Sequence, residues 1–128
     1  MKRVVFVCVE NSNRSQMAEA FARIIGGVEA YSAGSRPSGK VNPKAIAAME
    51  ELGYDLTIHH SKSLNDLPEV LFDVAVTMGC GDECPLLKAA RREDWNIPDP
   101  KQMSPLEFRK VRDLIGTKVN ELLTQLKG

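Results

Sequence analysis

The sequence has no excess of either charge: Lys+Arg and Asp+Glu each number 17 in 128 residues, for a formal net charge of +0. That balance excludes a chain-wide electrostatic footprint for nucleic acid or an anionic membrane, so any anion site must be local. No apolar run approaches the roughly 20 residues that a membrane span needs, and the opening "MKRVVFVCVENSNR" turns polar too early for a secretory signal. The expected compartment is therefore the cytoplasm, with neither nucleic acid nor membrane as partner. Internal repeats, low-complexity segments and linkers are also missing, and 43% hydrophobic residues can supply one core, so residues 1–128 read as a single domain. Nothing in the chain implies an obligate interface, and a monomer is expected. Cysteine is scarce. Cys8, Cys80 and Cys84 are an odd-numbered set, which argues against a disulfide framework and for reduced thiols with a chemical role.

The apolar residues that are present fall into alternating periods. "RVVFVC", residues 3 to 8, is a continuous run suited to a strand covered on both faces, and from Ser15 a helical stripe of Met17, Phe21, Ile24 and Ile25 runs to Gly26-Gly27. "VEAYSAG" reads as a second strand and "SRPSG" as a loop. Asn42 caps a helix with Pro43 in its first turn, Ile46, Met49 and Leu52 inward and Gly53 at its end. "FDVAVTM", residues 72 to 78, is a third strand that runs into "GCGDECP". A short extended segment is expected at Trp95 to Ile97, with Trp95 anchoring core. The last helix opens on a capping box, Ser104 with Glu107, and carries the stripe Val111, Leu114, Ile115, Val119, Leu122 and Leu126. Strands alternating with helices predict an α/β fold whose ligands bind beyond the carboxyl ends of parallel strands, which is where Cys8, Cys80 and Asp99 fall.

The loop "CVENSNRS", Cys8 to Ser15, joins a buried strand to a helix. Such a loop turns successive backbone N–H groups into a concavity, and the positive end of the helix adds to the same field. Val9, Glu10, Asn11, Ser12 and Asn13 would contribute amides to this cradle. The field favours thiolate over thiol at Cys8. Arg14 can close over a tetrahedral oxyanion with a bidentate fork that lysine cannot reproduce. Ser15 can donate its hydroxyl to the sulfur, and Asn11 can tie the loop to neighbouring backbone. Without that context, Cys8 would be only a buried strand end and Arg14 a surface residue of a first helical turn.

The C-x5-R-S loop with "RSQMAEA" after it, "YSAG", "VNPKAI", "VTM" before "GCGDECP", "DWNIPDP" and "FRKVRDLI" together resemble the thiol-coupled arsenate reductases. These share their fold with the low-molecular-weight protein tyrosine phosphatases. The resemblance spans almost the whole chain. It implies a three-layer fold, a four-stranded parallel sheet of order 2-1-3-4 flanked by helices. It also implies Cys8 as nucleophile, Asp99 as proton donor, and a relay in which Cys80 attacks Cys8 and Cys84 then takes over to leave a Cys80–Cys84 disulfide. No tightly bound cofactor is implied. An external thiol reductant is, either thioredoxin or a glutaredoxin-like partner.

Other readings of the same residues stay open. Cys80 and Cys84 can simply pack, or form half of a zinc site with His59 and His60; those histidines otherwise read as loop and packing residues. An aspartate between two prolines is also an ordinary turn residue. The fold equally serves a phosphatase working through a phosphocysteine, or an oxyanion-sensing thiol domain. Among the departures from the family pattern, three lie in or behind the anion loop. Glu10 replaces a glycine and must turn its carboxylate away from a dianion. Asn13 replaces a further cysteine, which removes a site of oxidation. Some relatives hold potassium behind the loop through residues matching Asn11, Glu19, Ser32 and an aspartate; Lys62 takes the aspartate's place, and its ammonium is expected to substitute for the ion.

Overall fold

A computed structural model describes residues 1–79 and 87–127. The expectations for Cys80 and Cys84 lie outside them. The chain runs β1 (Lys2–Cys8), α1 (Arg14–Ile25), β2 (Val28–Gly34), α2 (Pro43–Glu50), β3 (Phe72–Thr77), β4 (Ala89–Asp94) and α3 (Pro105–Lys127), with 3-10 turns at Leu56–Ile58 and Leu64–Asp66. The sheet is parallel throughout and ordered β2-β1-β3-β4, as the resemblance implied.

The central strand explains the continuous apolar run. Val4 and Phe6 face a core shared with Met17 of α1, Met49 of α2 and Ile115 and Val119 of α3, while Val5 and Val7 face a second cluster with Phe72 and Ala75. Each of the Val, Ile, Met and Phe side chains among them, removed from water, contributes on the order of 1.5–3 kcal/mol. Among the described residues the second face is covered by Leu64, Leu67, Val70 and Leu87, so the 3-10 turn at Leu64–Asp66 supplies that layer.

Details of the periodicity shift. The fourth strand is Ala89–Asp94, not the segment from Trp95 to Ile97. It is an edge strand of mostly exposed polar residues held to β3 by its backbone. Trp95 and Ile97 are buried just beyond it, and the Trp95 ring packs on Phe6 with centroids 6.0 Å apart. Ile24, Leu52 and Leu114 are exposed rather than inward. Leu52 lies past the end of α2, while Leu114 flanks the buried line Val111, Ile115, Val119 and Leu122.

Register places the site. Cys8 pairs with Gly34, Val7 with Thr77, and Thr77 with Asp94, so the loops after β1, β3 and β4 leave the sheet at the same edge.

Candidate active site

The loop after β1 is shaped from outside. The carbonyl of Cys8 accepts from Ser35 N at 3.2 Å, that of Val9 from Arg36 N at 2.8 Å, that of Glu10 from Ser38 N at 3.1 Å and that of Ser12 from Asn42 N at 3.1 Å. Gln16 Nε2 donates to the Asn11 carbonyl at 3.1 Å. A trans peptide is planar, so a carbonyl turned outward sends the next residue's N–H the opposite way. The amides of residues 9 to 13 are thereby aimed into the concavity. Asn11 makes the turn at φ 49, a left-handed conformation that asparagine tolerates better than most residues. α1 then begins without a side-chain cap on its first-turn amides, which leaves them to the same concavity.

Arg14, the first residue of α1, is buried. Its Nη1 donates to the Ile97 carbonyl at 3.0 Å. A Cβ on Gly79 would sit 2.6 Å from that nitrogen, so the backbone after β3 forms the wall against which the guanidinium rests. Cys8, Glu10, Ser12, Arg14, Asp99 and Lys101 are among the residues lining a cavity of about 180 Å³. The structure thus brings together Cys8, Arg14 and Asp99 as the sequence suggested. Asp99 is exposed, and its Oδ1 accepts from Lys101 N at 3.0 Å.

Behind the loop, one line of hydrogen bonds leads to the sulfur. Asn11 Oδ1 accepts from Lys62 N and Gln16 Nε2, both at 2.9 Å. Asn11 Nδ2 therefore donates to Ser15 Oγ at 2.7 Å, and the Ser15 hydroxyl is left to donate to Cys8 Sγ at 2.8 Å. Gln16 turns its carbonyl to His59 Nδ1 at 2.8 Å, and His59 Nε2 lies 2.6 Å from the Tyr54 hydroxyl. These partners set a neutral His59 that donates from Nδ1 and accepts at Nε2. Burial, the largest influence, also holds its pKa below the usual 6.5. Every donor in the chain Tyr54, His59, Gln16, Asn11, Ser15 points toward Cys8, so the sulfur accepts at the end of one continuous line of hydrogen bonds. Sequence reasoning missed Gln16 and the involvement of Tyr54. A fully buried glutamine on the first turn was a signal only in retrospect, since its partner His59 is 43 residues away.

Lys62 reaches the place foreseen for it. Its Nζ lies 3.4 Å from Ser32 Oγ, 3.2 Å from the His60 carbonyl and 3.7 Å from Glu19 Oε1. Ser32 Oγ donates to Glu19 Oε1 at 2.5 Å, and Arg23 Nε holds Oε2 at 2.8 Å. Glu10 has its own cation: Lys101 Nζ lies 3.1 Å from Oε1.

A parallel sheet with a cysteine loop and an arginine at the first turn of the following helix defines a class of oxyanion-binding cysteine proteins. The chain belongs to the low molecular weight phosphotyrosine protein phosphatase family, whose pattern matches residues 3–128. It is 41% identical over 126 residues to arsenate reductase 2 of Staphylococcus saprophyticus, covering 94% of this chain and 95% of the relative. With the glutaredoxin arsenate reductase of Synechocystis it shares 38% identity over 130 residues, covering 98% and 99%. Among solved structures, an arsenate reductase in the phosphate binding state has a TM-score of 0.89 at 38% identity, with 98% of both chains covered. A thioredoxin-dependent arsenate reductase of Corynebacterium glutamicum has a TM-score of 0.81 at 29% identity, covering 99% of this chain and 62% of that one. Among the described residues no helix is long and apolar enough to cross a membrane.

Proposed function

We propose that the protein reduces arsenate to arsenite with electrons from its own cysteines. The observation that carries this reading is the preshaped amide loop around Cys8, closed by Arg14 and faced by Asp99, in a chain whose relatives are named arsenate reductases. The Cys8 thiolate attacks arsenic while Arg14 and the loop amides hold the oxygens. Asp99 gives its proton to the departing hydroxide, which leaves as water; a positioned acid of this kind contributes about 10²–10⁴ in rate. Cys80 then attacks Cys8 Sγ, and the electron pair of the S–As bond stays on arsenic, which departs as arsenite and leaves a Cys8–Cys80 disulfide. Cys84 attacks Cys80, frees the Cys8 thiolate and forms a Cys80–Cys84 disulfide. An external dithiol resets the enzyme; relatives named for glutaredoxin and for thioredoxin support that class of reductant.

The family's phosphatase chemistry is the second reading, since a phosphoester could occupy the same cradle and pass through a phosphocysteine. One experiment separates them. Reduced protein is incubated with arsenate, thiols are trapped and disulfides mapped by mass spectrometry, beside an assay of phosphomonoester hydrolysis. A Cys80–Cys84 disulfide formed only with arsenate is expected. Phosphatase turnover that survives Cys80→Ser and Cys84→Ser, with no arsenate-driven disulfide, would sink the reductase.

The Lys62 ammonium stands in for an alkali cation behind the loop. Turnover in equal concentrations of KCl and NaCl is expected to agree within about twofold, because a lysine tethered 3.4 Å from Ser32 already supplies the charge. Clear activation by potassium over sodium would count against this.

A further inference from the structure

Glu10 is the anomaly of the anion loop, and its partner gives it a meaning. Lys101 is tied down at three points. Its amide donates to Asp99 Oδ1 at 3.0 Å, its carbonyl accepts from Lys44 Nζ at 3.2 Å, and its ammonium meets Glu10 Oε1 at 3.1 Å. Glu10 belongs to the loop after β1 and Lys101 to the loop after β4, with β3 between those strands in the sheet. The ion pair therefore spans the site from one wall to the other, and both residues line the cavity. The side chains are 38% and 54% exposed, so the pair sits at the rim and adds little to fold stability. Its effect falls on what enters.

We propose that Lys101 is a specificity-determining residue: its ammonium cancels the charge of Glu10 and bridges the rim, so the site takes a free tetrahedral oxyanion and turns away aryl phosphoesters. Position agrees: Glu10 and Lys101 line the same cavity as Cys8, Arg14 and Asp99. An aromatic leaving group would have to extend through the rim, where the Glu10–Lys101 pair lies. Charge agrees as well. Without Lys101, Glu10 would oppose a dianion held by the adjacent amides, and at low ionic strength a unit charge a few ångströms away changes affinity on the order of tenfold. This inference rests on the oxyanion site proposed above and specifies what that site selects.

The test uses inorganic phosphate as the binding probe and para-nitrophenyl phosphate as the aryl ester. In calorimetry at low salt, Lys101→Gln should weaken phosphate binding about tenfold, with the loss shrinking as salt is raised. Glu10→Gln combined with Lys101→Gln should return affinity to within about threefold of the parent. The same double variant should raise kcat/KM for the aryl ester at least fivefold. Phosphate affinity within twofold of the parent in Lys101→Gln, or a double variant as weak as the single, overturns the charge argument. An unchanged aryl-ester rate overturns the rim argument. Phosphate binding requires no electron transfer, so a parent that binds phosphate but forms no arsenate-driven disulfide sinks the reductase reading while leaving the rim proposal to its own result. Unfolding midpoints check that both variants fold. If Lys101→Gln does not fold, Glu10→Gln alone carries the charge test, with phosphate expected to bind at least as tightly as to the parent and weaker binding overturning it.

Discussion

Arg14→Lys should lower kcat/KM for arsenate by about 10²–10³, the range seen when one preorganised donor to a developing oxyanion is removed. The reason is a division of labour within the guanidinium. One N–H of Nη1 is committed to the Ile97 carbonyl, which aligns the plane and leaves the remaining donors for oxygens of the anion. An ammonium at the end of a lysine has no second nitrogen with which to be anchored and still present a fork. Gly79→Ala should produce much of the same loss by a different route. The new methyl group would stand 2.6 Å from Nη1, and a residue with φ +83 disfavours any side chain. The guanidinium is the group that must shift, which costs activity, while the positive φ adds a stability cost of about 1–2 kcal/mol. Steady-state kinetics beside denaturant unfolding checks both. A Gly79→Ala variant with parental kcat/KM would mean that the guanidinium does not need that wall.

Gly34→Ala should act in the opposite sense, on the fold first. Its Cβ would lie 2.5 Å from the Val9 carbonyl oxygen and 2.9 Å from Asn11 N. Both are backbone atoms of the anion loop, and neither has a side-chain rotation by which to retreat. Overpacking of this kind costs about 1–3 kcal/mol and more where nothing can shift, so about 3 kcal/mol is expected. The relief available is displacement of the loop itself, and phosphate affinity should fall with stability. Denaturant midpoints and calorimetry read the two effects; a variant with parental values for both would show that the close approach of β2 to the loop is unimportant.

The contrast between these glycines bears on what a sequence can disclose. β1 and β3 were legible because central strands bury both faces and their residues say so, and β2, an edge strand, because its second half is buried. α1, α2 and α3 were legible from period and caps, down to the Asn42 Oδ1 that accepts from Lys44 N. β4 was not, since "AARRED" on an exposed edge is polar and its membership depends on the backbone of β3. At the site, Cys8 and Arg14 were readable because strand, loop and helix place them together over a few residues. Lys101 and Gln16 were not: the first meets Glu10 across 91 positions and the second meets His59 across 43, and neither distance leaves a mark in local composition. Glu10 looked like a defect for the same reason, as its compensating charge sits at the other end of the chain.

The outward carbonyls carry a lesson for anyone wishing to transplant this site. The eight residues from Cys8 to Ser15 contain the chemistry but not the instructions for their own shape. Those reside largely in the amides of Ser35, Arg36, Ser38 and Asn42, the scaffold against which the loop is cast. A graft of "CVENSNRS" onto another strand and helix would move the casting without its mould, and its amides would be free to face anywhere. The portable unit is the pair of segments, 8 to 15 together with 34 to 42.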